Sequence, residues 1–501
     1  MPSPLVSTRS ARASQSGVWA FLLLSSVAYF FSINEADNDL WGHVLFGSQI
    51  IAQRAVPWVD AYSYTVAGQP WVNHEWLSQV ILAAAYRWAG SPGLLLLKFG
   101  IATLTFLLLF RMIRRRSATP YIWGTVGLLA IAVLARGFAI RPQIFTYCGA
   151  ALTLWLIDGY RRGQRRALWF LPLLFLAWVN MHGGFILGLG ILGVYACATL
   201  LRDAPRPWQP WAALTASVVV TALNPYGPRL LLYIWNELSR SHPITEWQRA
   251  APTDAAQFVF FALFAALVAT LPLRRNWRDD GWEAVLAVGV GVLALRHQRH
   301  TPVFALCAAA PLAAQLEQTR DWVARRSSFA LSPGAQRIVS FGIVALALLQ
   351  LSLTGMRLWR DGLRVIYEPG DYPVAAVRAL RDAGAPLNLA VPLDWGEYVL
   401  WSLAPQVRVS IDGRFATVFP EQVVEDNFAF FTSAPTWRRL LEHYPTEAVL
   451  VPADWSSPIR REPGWQRAYG DTVAEIYVRS ERAAALHLRA LPGAAGAGIF
   501  P

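Results

Sequence analysis

Asp37, Asp39 and His43 stand together in the stretch "DNDLWGH" at residues 37–43. A carboxylate of this kind can take the proton from an attacking hydroxyl, which is general-base work. Asp39 and His43 are four residues apart and share a helix face. That spacing suits a carboxylate–imidazole pair or two ligands of a divalent metal. Further polar groups follow in "SYTVAGQPWVNHEW" (63–76), with Trp71, Asn73, His74 and Glu75. Later come "RGFAIRPQ" (136–143), "WVNMHGG" (178–184), "NPYGPR" (224–229), "HPITEW" (242–247) and "RHQRH" (296–300). They bring Arg136, Arg141, His182, Asn224, Glu246, Arg296 and Arg299. Arginine matches phosphate oxygens with paired, parallel hydrogen bonds, so these arginines point to an anionic ligand.

Each group also has a plainer explanation. Asp37, Asn38 or Asp39 can cap a helix starting near Leu40, where a carboxylate suits the helix dipole. His182 between two apolar runs can be an interfacial hydrogen-bonding group. "NPYG" is first a turn. Trp41, Trp71 and Trp76 can be aromatics of the membrane–water interface.

The elements that must position these groups lie mostly in lipid. The chain has 501 residues, of which 55% are hydrophobic and 15% charged, where soluble domains average about 25% charged. Candidate spans lie near 17–33, 93–110, 120–136, 143–158, 167–180, 184–201, 211–223, 256–273, 281–295, 301–316 and 336–355, several of them short for a full crossing. That is about eleven spans by the usual length rule. The first follows Arg9 and Arg12 and has no small-residue cleavage site, so it reads as a retained anchor. Cys148, Cys197 and Cys307 all fall in apolar runs and read as packing residues.

The net charge of +12 is almost wholly arginine, Lys98 being the only lysine. In a membrane protein such charge marks cytoplasmic loops and anionic headgroups rather than nucleic acid. "RMIRRR" (111–116), "RRGQRR" (161–166), "RDAPRPW" (202–208), "RRNWR" (274–278) and "RDWVARR" (320–326) fall in alternate loops, with the basic N-terminus in the same set. The positive-inside rule then puts the N-terminus in the cytoplasm, and the loop 34–92 and the tail outside. The expected divisions are a membrane domain at 1–355, an α/β domain at 356–485 and a disordered end at 486–501. Within the tail, "PVAAVRALRDAG" reads as an amphipathic helix, and "LNLAVP", "VRVSID", "EAVLVP" and "AEIYVRS" read as strands. Helices are expected near 421–431 and 435–443.

The polar groups named above thus gather on the outer side, where ionisable groups near lipid are costly and usually functional. The arrangement resembles the GT-C superfamily of integral membrane glycosyltransferases, which use polyprenyl- or dolichyl-phosphate-linked sugars. Its members place a catalytic acidic residue in the first outer loop, and many end in an extracytoplasmic domain. "DNDLWGHVLFG", "WVNHEW", "RPQ", "WVNMHGG" and "NPYG", with "DWGEYVLWSL" (394–403) and "SIDGR" (410–414) in the tail, resemble a bacterial group of mannosyltransferase-like membrane proteins. Asp37-Asn38-Asp39 stands where protein-mannosyltransferase relatives carry an Asp-Glu pair. The resemblance therefore does not choose between the two aspartates, nor does it decide on a divalent metal.

What the resemblance implies is a polytopic α-helical protein of a bacterial inner membrane with an extracytoplasmic α/β domain. It would be an inverting transferase moving a sugar from a polyprenyl-phosphate donor to a hydroxyl of a glycan, lipid or protein. Asp37 or Asp39 would be the base, with Arg136, Arg141, Arg296 and Arg299 on the donor phosphate. His43, Trp71, Asn73, His74, Glu75, His182, Asn224 and Glu246 would position substrate, and Asp39 with His43 would be the candidate metal ligands. The rival classes are a transporter or flippase of lipid-linked saccharides and a non-catalytic binder of them. A transporter often carries internal repeats, and none is visible here.

Overall fold

The computed structural model describes residues 4–201, 206–237, 245–326, 332–368, 370–483 and 498–500. It resolves into two compact units. One comprises residues 1–34 and 96–363, the other residues 35–95 and 364–501. The first loop therefore belongs with the tail, and the boundary differs from a simple division near residue 355.

The first unit is helical. Its helices are α1 (Pro4–Phe31), the second part of α3 (Trp76–Arg116), α4 (Pro120–Ala135), α5 (Gln143–Arg161), α6 (Leu171–Trp178), α7 (Phe185–Leu200) and α8 (Trp208–Val220). They continue with α9 (Arg229–Glu237), α10 (Phe258–Thr270), α11 (Trp277–Arg296), α12 (Thr301–Ala324) and α13 (Pro333–Asp361). Among the described residues, three helical stretches, Ser14–Phe31, Trp76–Arg116 and Gly334–Asp361, are long and apolar enough to cross a membrane. Pro120–Ala135, Ala167–Trp178, Phe185–Leu200 and Phe258–Leu273 are apolar but shorter. At 16 residues, α4 rises about 24 Å, less than a hydrocarbon core of about 30 Å. Buried polar pairs tie the helices together. Ser25 and Ser26 of α1 donate to Gln350 Oε1 of α13 at 2.8 and 3.0 Å.

The basic stretches are not simply solvated. Arg115 bonds Asp158 at 2.6 Å, and Arg161 bonds Glu283 at 2.6 Å. Arg116 and Arg274 join Asp280 and Glu283 in the same network. α3 itself breaks at Ala89 and Gly90, where Gly90 takes φ +61° and ψ −145°. Pro92 then opens the following stretch, where its missing N–H does least harm.

The second unit is α/β. Its helices are α2 (Leu40–Gln53), α14 (Val374–Ala383), α15 (Leu393–Leu403), α16 (Glu421–Phe431), α17 (Arg439–His443) and α18 (Ser480–Ala483). Its strands are β1 (Ile366–Tyr367), β2 (Leu387–Ala390), β3 (Val407–Val409), β4 (Ala448–Pro452), β5 (Trp465–Gly470), β6 (Ala474–Arg479) and β7 (Gly498–Ile499). Five of them form a sheet in the order β3-β2-β4-β6-β5. β2 pairs parallel with β3 and β4, and β6 runs antiparallel to β4 and β5. The parallel pair β2–β3 requires a crossover, and α15 supplies it. α14 ends at Gly384, which takes the left-handed φ of +63°.

The first loop extends this sheet. Val409 N donates to Tyr62 O at 3.1 Å, and Tyr64 N donates to Val409 O at 3.1 Å. Ser63 thereby pairs in parallel beyond β3. The end of the chain is ordered where described. Ile499 pairs with Ile366, Phe500 N donates to Val365 O, and Phe500 is fully buried 4.4 Å from the Trp41 ring. Burial of that ring overturns the expected disorder at residues 498–500, while 484–497 lie outside the described residues.

Candidate functional site

Asp37 and Asp39 are both half-buried on the approach to α2. Asp37 Oδ1 accepts from the backbone N of Asp39 at 3.1 Å. Asp39 occupies the N-cap position, and its carbonyl accepts from His43 N at 3.0 Å. Its side chain makes no capping bond, so helix capping does not explain the carboxylate there.

Asp39 faces the tail instead. A methyl group at Gly413 would lie 2.5 Å from Asp39 Oδ1 and 2.7 Å from Glu397 Oε1. A methyl at Gly42 would lie 2.3 Å from the carboxyl carbon of Glu397. Both glycines thus leave the space the carboxyl groups occupy, since a Cβ at either position would make a carboxyl group shift. The Gly42 N–H donates to Glu397 Oε2 at 2.9 Å. Glu397 is only 3% exposed. Burial pushes its pKa well above the usual carboxylate range, and the charges of Asp39 and Asp412 push the same way.

Behind this pair stands a buried ion cluster. Arg414 donates to both oxygens of Asp412 at 2.8 and 2.7 Å, and its Nη1 lies 2.6 Å from Asp60 Oδ1. Trp71, Tyr62, Phe46 and Phe419 box the guanidinium at 4.8, 4.9, 5.2 and 5.8 Å from their ring centres. Asp60 further accepts from Ser63 Oγ at 2.6 Å and from its N–H at 3.0 Å.

The remaining residues of the first loop have varied fates. Trp41 and Trp71 are each 1% exposed and belong to the core of their unit, not to an interface belt. Trp41 packs edge-on against Tyr372 and Tyr398. Asn73 is buried and donates to Gln79 at 2.8 Å, while His74 sits 3.7 Å from Glu75. His43 is buried on α2. Among the described residues, no group of three or more His, Cys, Asp or Glu side chains is placed to hold a metal.

In the helical unit a separate cavity of about 170 Å³ is lined by Arg136, Arg141, Arg299, Glu246, Gln257 and Gln298, among others. Arg141 is ion-paired with Glu246. Burial alone would raise the Glu246 pKa, but Arg141 and Arg299 hold it below the usual range. The Arg299 guanidinium lies 4.5 Å over the Trp247 ring, and Arg136 is 3.9 Å from Asp254. Burial, with the positive field of Arg299 and His297, pushes His300 down to about 4. The lining has three guanidinium groups against one carboxylate, an arrangement that favours an anion. Arg296 is exposed at the end of α11 and is not part of the lining.

His182 Nδ1 lies 2.9 Å from the Gly184 N–H and 2.8 Å from Thr146 Oγ1, and Thr146 accepts from Trp178 Nε1 at 3.0 Å. Accepting at Nδ1 puts the ring proton of the neutral form on Nε2. Asn224 builds its own turn. It donates to Thr221 O and Gly227 O at 2.7 and 2.9 Å and accepts from Tyr226 N at 2.8 Å.

No protein-family model matches the chain, and no curated protein matches it by sequence. Among solved structures, it is similar to the apo oligosaccharyltransferase of Archaeoglobus fulgidus, with a TM-score of 0.58 at 12% identity over 87% of this chain and 69% of that one. At this identity the likeness is one of fold. A weaker likeness is to the arabinofuranosyltransferase AftD from Mycobacteria, with a TM-score of 0.44 and 16% identity. It covers 93% of this chain but 41% of that one.

The sequence had singled out the loop aspartates but neither Glu397 nor the Asp60–Arg414–Asp412 cluster. "DWGEY" and "SIDGR" stood out as motifs, and "SIDGR" alone reads as no more than a strand followed by a turn. The available signal was a glycine beside an acidic residue in both tail motifs, with Gly42 three residues after "DND" in the loop.

Proposed function

We propose that the protein is a membrane glycosyltransferase that moves a sugar from a polyprenyl-phosphate donor to a hydroxyl acceptor on the extracytoplasmic face. The observation that carries this reading is the Asp39 carboxylate, half-buried, unused as a cap and set beside a buried tail carboxyl. In the reaction the acceptor oxygen attacks the anomeric carbon as the sugar–phosphate bond breaks. The hydroxyl proton passes to the aspartate, the phosphate leaves on its lipid, and the anomeric configuration inverts. Charge grows on the departing phosphate, and fixed guanidinium groups are suited to stabilise it. Arg136, Arg141 and Arg299 fill that role in this reading. Arg296 has the weaker claim, and His43, His74, Glu75 and His182 are candidates for positioning substrate.

The test is a panel of polyprenyl-phosphate sugars offered to the purified protein with glycan, lipid or peptide acceptors. One donor should release lipid phosphate only when an acceptor is present, and the new glycosidic bond should have the opposite anomeric configuration. Retention of configuration would contradict a single displacement assisted by one base.

The arginine cavity gives a separate expectation. Arg141→Lys and Arg299→Lys should weaken binding of a polyprenyl-phosphate analogue nearly as much as the alanine variants, because a point charge cannot reproduce the planar fork. Arginines that merely reach lipid headgroups tolerate lysine, so full retention by the lysine variants would remove them from the site.

We also assign about eleven membrane spans, a cytoplasmic N-terminus and an external tail domain in a bacterial inner membrane, because the basic loops alternate. Reporter fusions at residues 116 and 400 should then report opposite sides. The same side for both would sink this topology.

A further inference from the structure

We infer that Glu397 is a positioning residue for Asp39, its carboxyl orienting the Asp39 carboxylate toward the acceptor hydroxyl and so making Asp39, rather than Asp37, the base. This rests on the transferase reading above. The geometry begins with α15. A methyl at Gly396 would lie 2.3 Å from Ile411 O, so the helix lies directly on the chain that leaves β3. That contact sets where Glu397 starts. Its Oε2 is fixed by the Gly42 N–H at 2.9 Å, and its Oε1 is the oxygen nearest Gly413. Oε1 and Asp39 Oδ1 both crowd the space above Gly413, within 2.7 Å of where a Cβ would stand.

Two ionised carboxylates do not share such a space stably, whereas one proton between them gives a short charge-assisted hydrogen bond. The other charged groups facing Glu397 are Asp412 and Arg414, and these are already engaged with each other at 2.7 Å. Asp39 is therefore the carboxylate that Glu397 orients. Asp37 Oδ1 accepts from a backbone N–H instead, which makes it a brace for the loop.

The experiment measures lipid-phosphate release by the full chain in detergent, using the donor found with the panel. Glu397→Gln keeps both the acceptor for Gly42 and a donor for Asp39, and should hold kcat within a few-fold of the parent. Glu397→Asp and Glu397→Ala should lose kcat by roughly 10- to 100-fold, the worth of one hydrogen bond to a charged group, with KM little changed. In the Asp39→Asn background, Glu397→Ala should add almost nothing, because residues acting as a unit are not additive. An equal loss from Glu397→Ala in both backgrounds would overturn the proposal, as would full activity in Glu397→Asp with loss in Glu397→Gln. Should Glu397→Ala fail to fold, the comparison of Gln with Asp decides alone. If Asp37→Asn abolishes turnover and Asp39→Asn does not, this inference falls while the transferase reading stands. If neither changes turnover, the base reading itself fails and takes this inference with it.

Discussion

Asp39→Asn should remain folded and lose turnover by roughly 10²-fold or more, the scale of general-base catalysis. Asparagine has nearly the same shape and keeps the N-cap position, where the parent side chain makes no capping bond. The substitution therefore removes a proton acceptor and little else. Asp37→Asn should have a smaller effect on rate, because its amide oxygen can still accept from the Asp39 N–H now bonded at 3.1 Å. The check is a pair of release assays alongside thermal melts. A capping role would appear instead as an unchanged rate in Asp39→Asn, since asparagine caps as well as aspartate, with a stability loss of about 1 kcal/mol only in Asp39→Ala. That outcome would remove Asp39 from the chemistry.

Arg414→Ala should do its damage through folding. Arg414, Asp412 and Asp60 are 6%, 0% and 2% exposed, so truncation leaves two buried carboxylates without their cation. Breaking a buried pair in this way costs about 3–5 kcal/mol, a large fraction of a domain's stability. Four aromatic rings also lose the guanidinium they surround. Lysine should rescue poorly, because it cannot bond both oxygens of Asp412 and reach Asp60 together. Denaturant unfolding in detergent, followed by tryptophan emission, measures the loss, since Trp71 lies against Arg414. A shift under 1 kcal/mol would mean that the cluster is not what binds residues 60–71 to the tail within this unit.

Much of the fold was legible because lipid is a strict solvent. A bilayer demands long apolar runs, and every run read as a span falls on a helix of the structure. The tail was legible where its period was clean. "PVAAVRALRDAG" is α14, and the stretch 421–431 is α16. β5 was missed, since "WQRAYG" has mixed polarity and its burial follows pairing with β6.

The union of the first loop with the tail was not legible. Its decisive bond joins residues 355 positions apart, Gly42 and Glu397, and nothing in local pattern encodes such a pairing. The same cause hid the place of Trp41 and Trp71. Interface aromatics were the plainer reading for both and substrate positioning the other for Trp71, whereas the structure buries them against Tyr372, Tyr398 and Arg414. "NPYG" was read correctly as a turn, because Asn224 meets its partners within three residues. The grouping of the arginines was half legible. Arg136, Arg141 and Arg299 reach one cavity, whereas Arg296, three residues before Arg299, points to solvent or lipid.

The central claim is that a sugar–phosphate bond is broken, and the fate of that bond can be followed directly. The protein is placed in liposomes with a polyprenyl-phosphate sugar labelled in both the sugar and the phosphate. Glycosyl transfer predicts that the two labels separate, the sugar passing to the acceptor and the phosphate staying on the lipid, and that Asp39→Asn prevents it. Recovery of the intact doubly labelled donor in the opposite leaflet, at the same rate with and without acceptor, would contradict transfer and make the protein a carrier.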